Sequence, residues 1–293
     1  MSSEHSLLIH ETLLSLSNAF ETAGIPDPQT DAELIVGSVL GESRGRVQSL
    51  AIMGGTLEPA QRERIESLAS ERAQRVPLQH LTGKAPFRHF ELDVGPGVFV
   101  PRPETETVVQ FAIDELQADM APEPLALDLC TGSGAIALAM ASEVQRSRVW
   151  AVEKDDHARA WAERNVARLG DGRVTLLAGD VTSPPAEIQQ LKGRLSVIAT
   201  NPPYVPSGAI PRDPEVRDHD PQLALYSGED GLSLIRVISR TYREYLRPGG
   251  LIVIEHAEMQ GSAVRDILAA DGWNSAATHR DLTFRDRATT ARA

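Results

Sequence analysis

Leu125-Ala126-Leu127-Asp128-Leu129-Cys130-Thr131-Gly132-Ser133-Gly134-Ala135-Ile136-Ala137 runs from an apolar stretch through two glycines into a helical pattern. Gly132 and Gly134 let the backbone turn tightly and let a ligand approach it. The helix that follows, read as Ala135 to Glu143, starts with amide donors that have no partner inside the helix. Strand, glycine turn and helix start in this order form a nucleotide-type loop. Glu153, 21 residues beyond Gly132, ends the next apolar run, where an acidic side chain can accept both hydroxyl hydrogens of a ribose. Taken alone the loop is ambiguous. Gly132-x-Gly134-x-x-Ala137 also meets the dinucleotide fingerprint, and a plain strand-to-helix turn uses the same residue types.

Outward from this stretch, apolar runs alternate with helical patterns. Strands are expected at Leu125 to Leu129, Arg148 to Glu153, Val174 to Gly179, Leu195 to Thr200 and Leu251 to Glu255, with helices such as Ala135 to Glu143 and His157 to Leu169 between them. Near-continuous apolar strands joined by crossovers imply an α/β fold: a doubly wound, mostly parallel sheet covered on both faces. The tail from Ala288 to Ala293 reads equally as a last strand or a frayed end.

The amino-terminal part reads as a small helical domain. Ile9, Leu13, Leu16 and Phe20 share one face of a 3.6-residue period, and Thr30-Asp31-Ala32-Glu33 has the form of a capping box ahead of Ile35, Val36, Val39 and Leu40. A third helix is expected after Thr56, with Pro59 in its first turn and Ile65, Leu68 and Ala69 inward. Between the two regions, Phe87, Phe90, Leu92, Val94, Val98 and Val100 surround Gly95-Pro96-Gly97, the pattern of two short strands about a turn. The expected division is a helical domain over residues 1–85, a β-hairpin connector over 86–105 and the α/β domain over 106–293.

The composition sets the class of partner. The 293 residues favour about two domains, and 41% apolar with 24% charged residues is ordinary for a folded globular chain. A net charge of −12 gives no general attraction to phosphate backbones or anionic lipid, so neither nucleic acid nor membrane is the expected partner. The single cysteine, Cys130, cannot form an intrachain disulfide, and no two of the eight histidines stand four apart as a helical metal pair would; no metal is expected. Met1-Ser2-Ser3-Glu4-His5 lacks the basic and apolar pattern of a secretory signal, which with the lone cysteine suggests a cytoplasmic protein.

Two further strand ends carry candidate chemistry. Gly179-Asp180-Val181 follows the third expected strand, where Asp180 can accept from an adenine amino group and Val181 can pack on the ring; a turn cap by Asp180 is the alternative. The fourth strand leads into Thr200-Asn201-Pro202-Pro203-Tyr204. Consecutive prolines fix φ at two positions and bias Asn201 away from helix, so Asn201 Oδ1 and the Pro202 carbonyl make a stiff pair of acceptors for the two hydrogens of a planar NH2 group, with Tyr204 beside it. Such a nitrogen is a poor nucleophile because its lone pair is delocalised. Holding both hydrogens aims that lone pair at an electrophile such as a sulfonium methyl, whose charge an aromatic wall stabilises. Cys130 is read as a packing residue or a backbone contact to a cofactor.

At this point the chain resembles the class I S-adenosylmethionine-dependent amino-methyltransferases and, more closely, the HemK-type N5-glutamine methyltransferases of peptide chain release factors. Besides Asn201-Pro202-Pro203-Tyr204 and the glycine loop, the resemblance rests on Pro77-Leu78-Gln79-His80-Leu81-Thr82-Gly83, Val100-Pro101-Arg102-Pro103-Glu104-Thr105-Glu106, Ala224-Leu225, Gly228, Asp230-Gly231-Leu232, Leu246-Arg247-Pro248-Gly249-Gly250 and Asp286-Arg287. It implies a Rossmann-like methyltransferase domain and methyl transfer from S-adenosyl-L-methionine, leaving S-adenosyl-L-homocysteine, to the glutamine side-chain amide in the Gly-Gly-Gln loop of a class I release factor. The helical domain would help to grip that partner. By the same resemblance Cys130, Thr131, Gly132, Ser133 and Gly134 form the cofactor loop, Glu153 takes the ribose, Asp180 and Val181 neighbour the adenine, Asn201 also borders the cofactor, and Asn201 through Tyr204 clamp the glutamine. Val181 stands where many relatives carry tryptophan.

Three alternatives remain at this stage: a nucleic-acid amino-methyltransferase acting on adenine N6 or guanine N2, a dinucleotide oxidoreductase, and a binding module without turnover. The oxidoreductase reading leaves residues 201–204 without a task. The segment after the clamp, rich in Asp213, Glu215, Asp218, Asp220, Glu229 and Asp230, is a candidate for steering a basic face of the partner, and Arg102 has no assigned role.

Overall fold

The computed structural model describes residues 8–293, so Met1 to His5 lie outside the described residues. Two compact units divide the chain. One holds the helices through Lys84 and also Pro211–His219; the other holds Ala85–Ile210 and Asp220–Ala293. This division groups the hairpin with the sheet, and it groups a short excursion from the carboxyl-terminal half with the amino-terminal helices.

In the helical unit, α1 (Ile9–Thr22), α2 (Pro28–Leu40), α3 (Arg44–Ile52), α4 (Pro59–Ala73) and α5 (Leu78–Thr82) bury Ile9, Leu16, Phe20, Ile35, Val36, Val47, Ile65 and Leu68 in one apolar cluster. The expected capping box at Thr30 is not formed. Pro28, whose φ is preset for a first helical turn, starts α2 before Thr30, and no side chain caps that end. Glu33 is instead buried, accepting from Gln29 Nε2 at 3.0 Å, Arg44 Nε at 2.5 Å and Gln48 Nε2 at 2.9 Å, which ties α3 to α2.

The same unit contains a buried ionic cluster. Arg72 Nε donates to Asp31 Oδ2 at 2.7 Å, and its Nη1 donates to Glu215 Oε1 at 2.8 Å; Arg75 reaches both oxygens of Glu215 at 2.8 and 2.5 Å. Burial raises the pKa of Asp31. Burial also works against ionised Glu215, yet its bonds with Asp213, Arg75 and Arg72 hold it down to about 2. Glu215 lies on α10 (Pro214–His219), so the excursion is fastened to α4 by charge pairs shielded from water.

The sheet unit opens with a hairpin, β1 (Lys84–Phe87) and β2 (Phe90–Asp93). Its turn is at Arg88-His89, with Arg88 at φ 56°, and the expected turn at Gly95-Pro96-Gly97 lies beyond it. Gly95 serves packing: a Cβ there would sit 2.4 Å from the Trp161 ring. There follow α6 (Pro103–Ala118), β3 (Leu125–Leu129), α7 (Ala135–Glu143), β4 (Arg148–Glu153), α8 (Asp156–Leu169), β5 (Val174–Ala178), α9 (Ala186–Gln189) and β6 (Leu195–Thr200). After the excursion come α11 (Gln222–Leu225), α12 (Ser233–Tyr242), β7 (Leu246–Glu255), α13 (Gly261–Ala270), β8 (Asn274–Arg280) and β9 (Asp286–Arg292).

The main sheet has the order β5-β4-β3-β6-β7-β9-β8, parallel except for β9, which runs antiparallel to both neighbours. Strand residues alternate between the two covered faces. Ala126, Val197, Ala199 and Val253 join the cluster with α6 and α7, whereas Leu127, Leu129, Ile198, Ile252 and Ile254 join the one with α12 and α13. The tail is a true strand at residues 286–292, and β8, unread in the sequence, completes the antiparallel edge. The order reverses on either side of the β3–β6 pair, so ligand chemistry is expected beyond the carboxyl ends of those two strands.

Candidate active site

β3 and β6 pair in register, Leu129 opposite Thr200, and Thr200 Oγ1 donates to the Leu129 carbonyl at 2.8 Å. The next residue on each strand is therefore Cys130 on one side and Asn201 on the other. The glycine turn and the Asn-Pro-Pro-Tyr segment leave the sheet side by side at its switch point.

The glycine turn is braced from beneath. Asp128 is fully buried, and its Oδ2 accepts from Thr131 Oγ1 and from the Ala137 amide at 3.1 Å. Burial pushes Asp128 up to about 7, against those two hydrogen bonds. Gly132 and Gly134 stand at φ 57° and 91°, where an L side chain is strained, and a Cβ on Gly132 would meet no atom within 4 Å. Cys130 also has positive φ, 60°, a strained conformation that the surrounding turn must hold. Burial pushes its thiol pKa up, which disfavours the reactive thiolate form. Ser133 and Thr131 are buried, and the Ser133 carbonyl accepts from Asn165 Nδ2 at 2.9 Å, which links the turn to α8.

Glu153 ends β4 with both oxygens engaged, Oε2 by the Gly132 amide and Oε1 by the Asp155 amide, each at 2.8 Å. Its carboxylate is thus fixed against the glycine turn, and burial raises its pKa. Asp180 caps its own turn, accepting from the Thr182 amide at 2.8 Å and hydroxyl at 2.7 Å, and pairs with Lys154 at 2.7 Å. The bond from Lys154, followed by those from Thr182, lowers Asp180 to about 2, so it is a carboxylate at neutral pH. Val181 is buried with Leu127, Leu129 and Val152, and its carbonyl accepts from the Tyr242 hydroxyl at 3.0 Å.

At the second strand end Pro202 is buried while Asn201, Pro203 and Tyr204 are half-buried. Asn201 Nδ2 donates to Thr105 Oγ1 at 3.4 Å, leaving Oδ1 as the acceptor. Thr105 donates in turn to Glu255 Oε2 at 2.7 Å, and the Tyr204 hydroxyl donates to Glu255 Oε1 at 3.3 Å. The Tyr204 carbonyl accepts from Gln260 Nε2 at 2.9 Å. Gly231 lies so close that a Cβ would sit 2.1 Å from that carbonyl. Thr105, Glu255, Gln260 and Lys154 were not singled out from the sequence. Glu255 did carry a signal: an acid closing an apolar parallel strand at the ligand-facing end.

The acidic segment after the clamp is largely neutralised by partners. Glu215 is paired as described, Asp220 is buried with Arg102 at 2.7 Å, Asp218 pairs with Arg217 and Asp230 with Arg236. Much of its charge is engaged in pairs that fasten structure, and Arg102 is held in the Asp220 pair and over the Phe99 ring. Among the described residues no group of three or more His, Cys, Asp or Glu side chains is arranged to hold a metal ion, and no helix is long and apolar enough to cross a membrane.

A seven-stranded doubly wound sheet with one antiparallel strand, a glycine turn and an acid at adjacent strand ends defines the class I methyltransferase fold. The PrmC N-terminal domain family model matches residues 11–83, and that of conserved hypothetical protein 95 matches residues 81–216. The release factor glutamine methyltransferase of Streptomyces coelicolor is 48% identical over 92% of this chain and 92% of its own length. That of Bifidobacterium longum is 42% identical over 96% of this chain and 98% of its own, and that of Mycolicibacterium smegmatis 40% over 92% of each. The chain belongs to the release factor glutamine methyltransferase family.

Proposed function

We propose that this protein transfers a methyl group from S-adenosyl-L-methionine to the side-chain amide nitrogen, N5, of the glutamine in the Gly-Gly-Gln loop of class I peptide chain release factors, leaving S-adenosyl-L-homocysteine. The observation that carries this reading is the pairing of Leu129 with Thr200, which sets a nucleoside-type turn next to a fork of two acceptors. Family membership supports the same substrate class, and the helical unit would contribute to gripping the release factor.

The residues fit the donor. The space over Gly132 is open, Glu153 is held where ribose hydroxyls can donate to its remaining lone pairs, and ionised Asp180 suits an amino group. Cys130, Thr131, Ser133 and Gly134 would supply the backbone around the nucleoside and its amino-acid tail, with Val181 on the apolar side. When bound, the cofactor supplies a methyl on a positively charged sulfur.

Everything else falls to the acceptor site. An amide nitrogen shares its lone pair with the carbonyl, the resonance behind the ~18–20 kcal/mol peptide rotation barrier. Asn201 Oδ1 and the Pro202 carbonyl each accept one amide hydrogen, which raises electron density on nitrogen and fixes the direction of its lone pair. As the N–C bond forms and the S–C bond breaks, nitrogen gains positive charge. The same two acceptors stabilise that charge until one of the two hydrogens leaves as a proton to solvent. The Tyr204 ring, anchored through its hydroxyl to Glu255, walls the site.

Mass spectrometry of release-factor peptides from cells with and without the gene tests this. The Gly-Gly-Gln peptide should be heavier by one methylene on glutamine only when the gene is present, and identical masses would overturn the reading.

A further inference from the structure

The chain of bonds behind the fork has a direction, and that direction decides what the fork offers. Glu255 is 2% exposed at the end of β7; Thr105 and Glu104 face it from α6, Tyr204 from the segment after β6 and Arg287 from β9. A carboxylate only accepts. Thr105 has one hydroxyl proton and gives it to Glu255 Oε2 at 2.7 Å, so its lone pairs are what remains for Asn201, whose Nδ2 donates at 3.4 Å. Were the order reversed, with Thr105 donating to Asn201 Oδ1, the fork would present NH2 donors to an incoming NH2 group and repel it.

We propose that Thr105 and Glu255 are positioning residues that dictate which way round the Asn201 carboxamide sits, and so make the fork an acceptor of a side-chain amide. The inference deepens the carboxamide-acceptor reading above and rests on it. Neither residue touches the reacting atoms: Thr105 acts through Asn201, and Glu255 acts through Thr105 and Tyr204. Burial, opposed by the bond from Thr105 and the charge of Arg287, pushes Glu255 up to about 7. Protonated Glu255 can itself donate, which releases the Thr105 proton and lets the order invert. The fork is then expected to work better above neutral pH than below it.

The test compares wild type, Thr105→Val, Thr105→Ser and Glu255→Gln with full-length release factor, together with the Asn201 side-chain NH2 signal by NMR, assigned by its loss in Asn201→Ala. Thr105→Val keeps shape but removes the hydroxyl, so kcat should fall roughly ten- to a hundredfold, the range seen when a partner that orients a functional side chain is lost. KM for the release factor and cofactor affinity should stay put, and Thr105→Ser should restore kcat. In wild type the Asn201 signal should follow a titration centred near the raised Glu255 value, and the rise of kcat with pH should track it; both should vanish in Glu255→Gln and Thr105→Val. Normal kcat in Thr105→Val beside an active wild type would overturn the positioning role and leave the glutamine reading intact. An inactive wild type would overturn the glutamine reading. The Asn201 NH2 signal would still decide the positioning role, since a signal that is the same in wild type and Thr105→Val contradicts it.

Discussion

The two neighbouring strand ends are held by different means. At the end of β3, Asp128 reaches Thr131 and Ala137, three and nine residues on, and Gly132 meets Glu153 21 residues on. At the end of β6, Asn201 leans on Thr105, 96 residues away, and Tyr204 leans on Glu255 and Gln260, 51 and 56 residues away. A turn for a cofactor with one fixed shape can be encoded locally. A fork that must receive a side chain from another protein has its prolines in sequence but its polarity set by the tertiary fold.

The largest expected effect separates the two ends by function. Asn201→Ala should raise the barrier to methyl transfer by about 2–4 kcal/mol, the usual cost of one preorganised polar group, while cofactor affinity measured by calorimetry changes far less. Loss of cofactor binding in that variant would mean the ends are not separable. Glu153→Ala is the converse. It removes charge-assisted hydrogen bonds and should weaken S-adenosylhomocysteine binding by about 1.5–3 kcal/mol, with kcat at saturating cofactor far less affected.

Gln260→Leu probes the distant bracing. It leaves the Tyr204 and Asp230 carbonyls and the Ala257 amide without their partner, and should destabilise the chain by about 1–3 kcal/mol in thermal melts while raising KM for the release factor. An unchanged melt would show that the segment is held by other means. The smallest effect is a slope. Asp128, raised from 3.8 to about 7 by burial, binds its proton more tightly folded than unfolded, so its contribution to stability is complete below about pH 4 and is lost as pH rises through 7. Asp128→Asn cannot titrate, and melting temperatures followed from pH 4 to 7 should decline less steeply than in wild type.

The same contrast explains what could be read from sequence. β3, β4 and β6 were legible to the residue because a strand buried on both faces is a continuous apolar run, and the glycines at 132 and 134 mark positive φ. The α2 start was misread because Thr30 and Glu33 satisfy a local rule that Pro28 overrides, and Glu33 finds its partners on α3. Gly95 suggested a turn, yet the reason for glycine there is the Trp161 ring. β8 escaped notice because Asn274 to Arg280 is an edge strand of exposed and half-buried, mostly polar residues with no apolar run. Thr105 and Glu255 were visible as letters, but their meeting is created only when α6 packs beside the end of β7.

A crystal structure of the protein with S-adenosylhomocysteine and a Gly-Gly-Gln-containing release-factor fragment would examine the fork itself. The glutamine amide nitrogen should lie within hydrogen-bonding distance of both Asn201 Oδ1 and the Pro202 carbonyl, facing the cofactor sulfur. A glutamine bound elsewhere, or one whose carbonyl rather than nitrogen meets Asn201, would contradict the account.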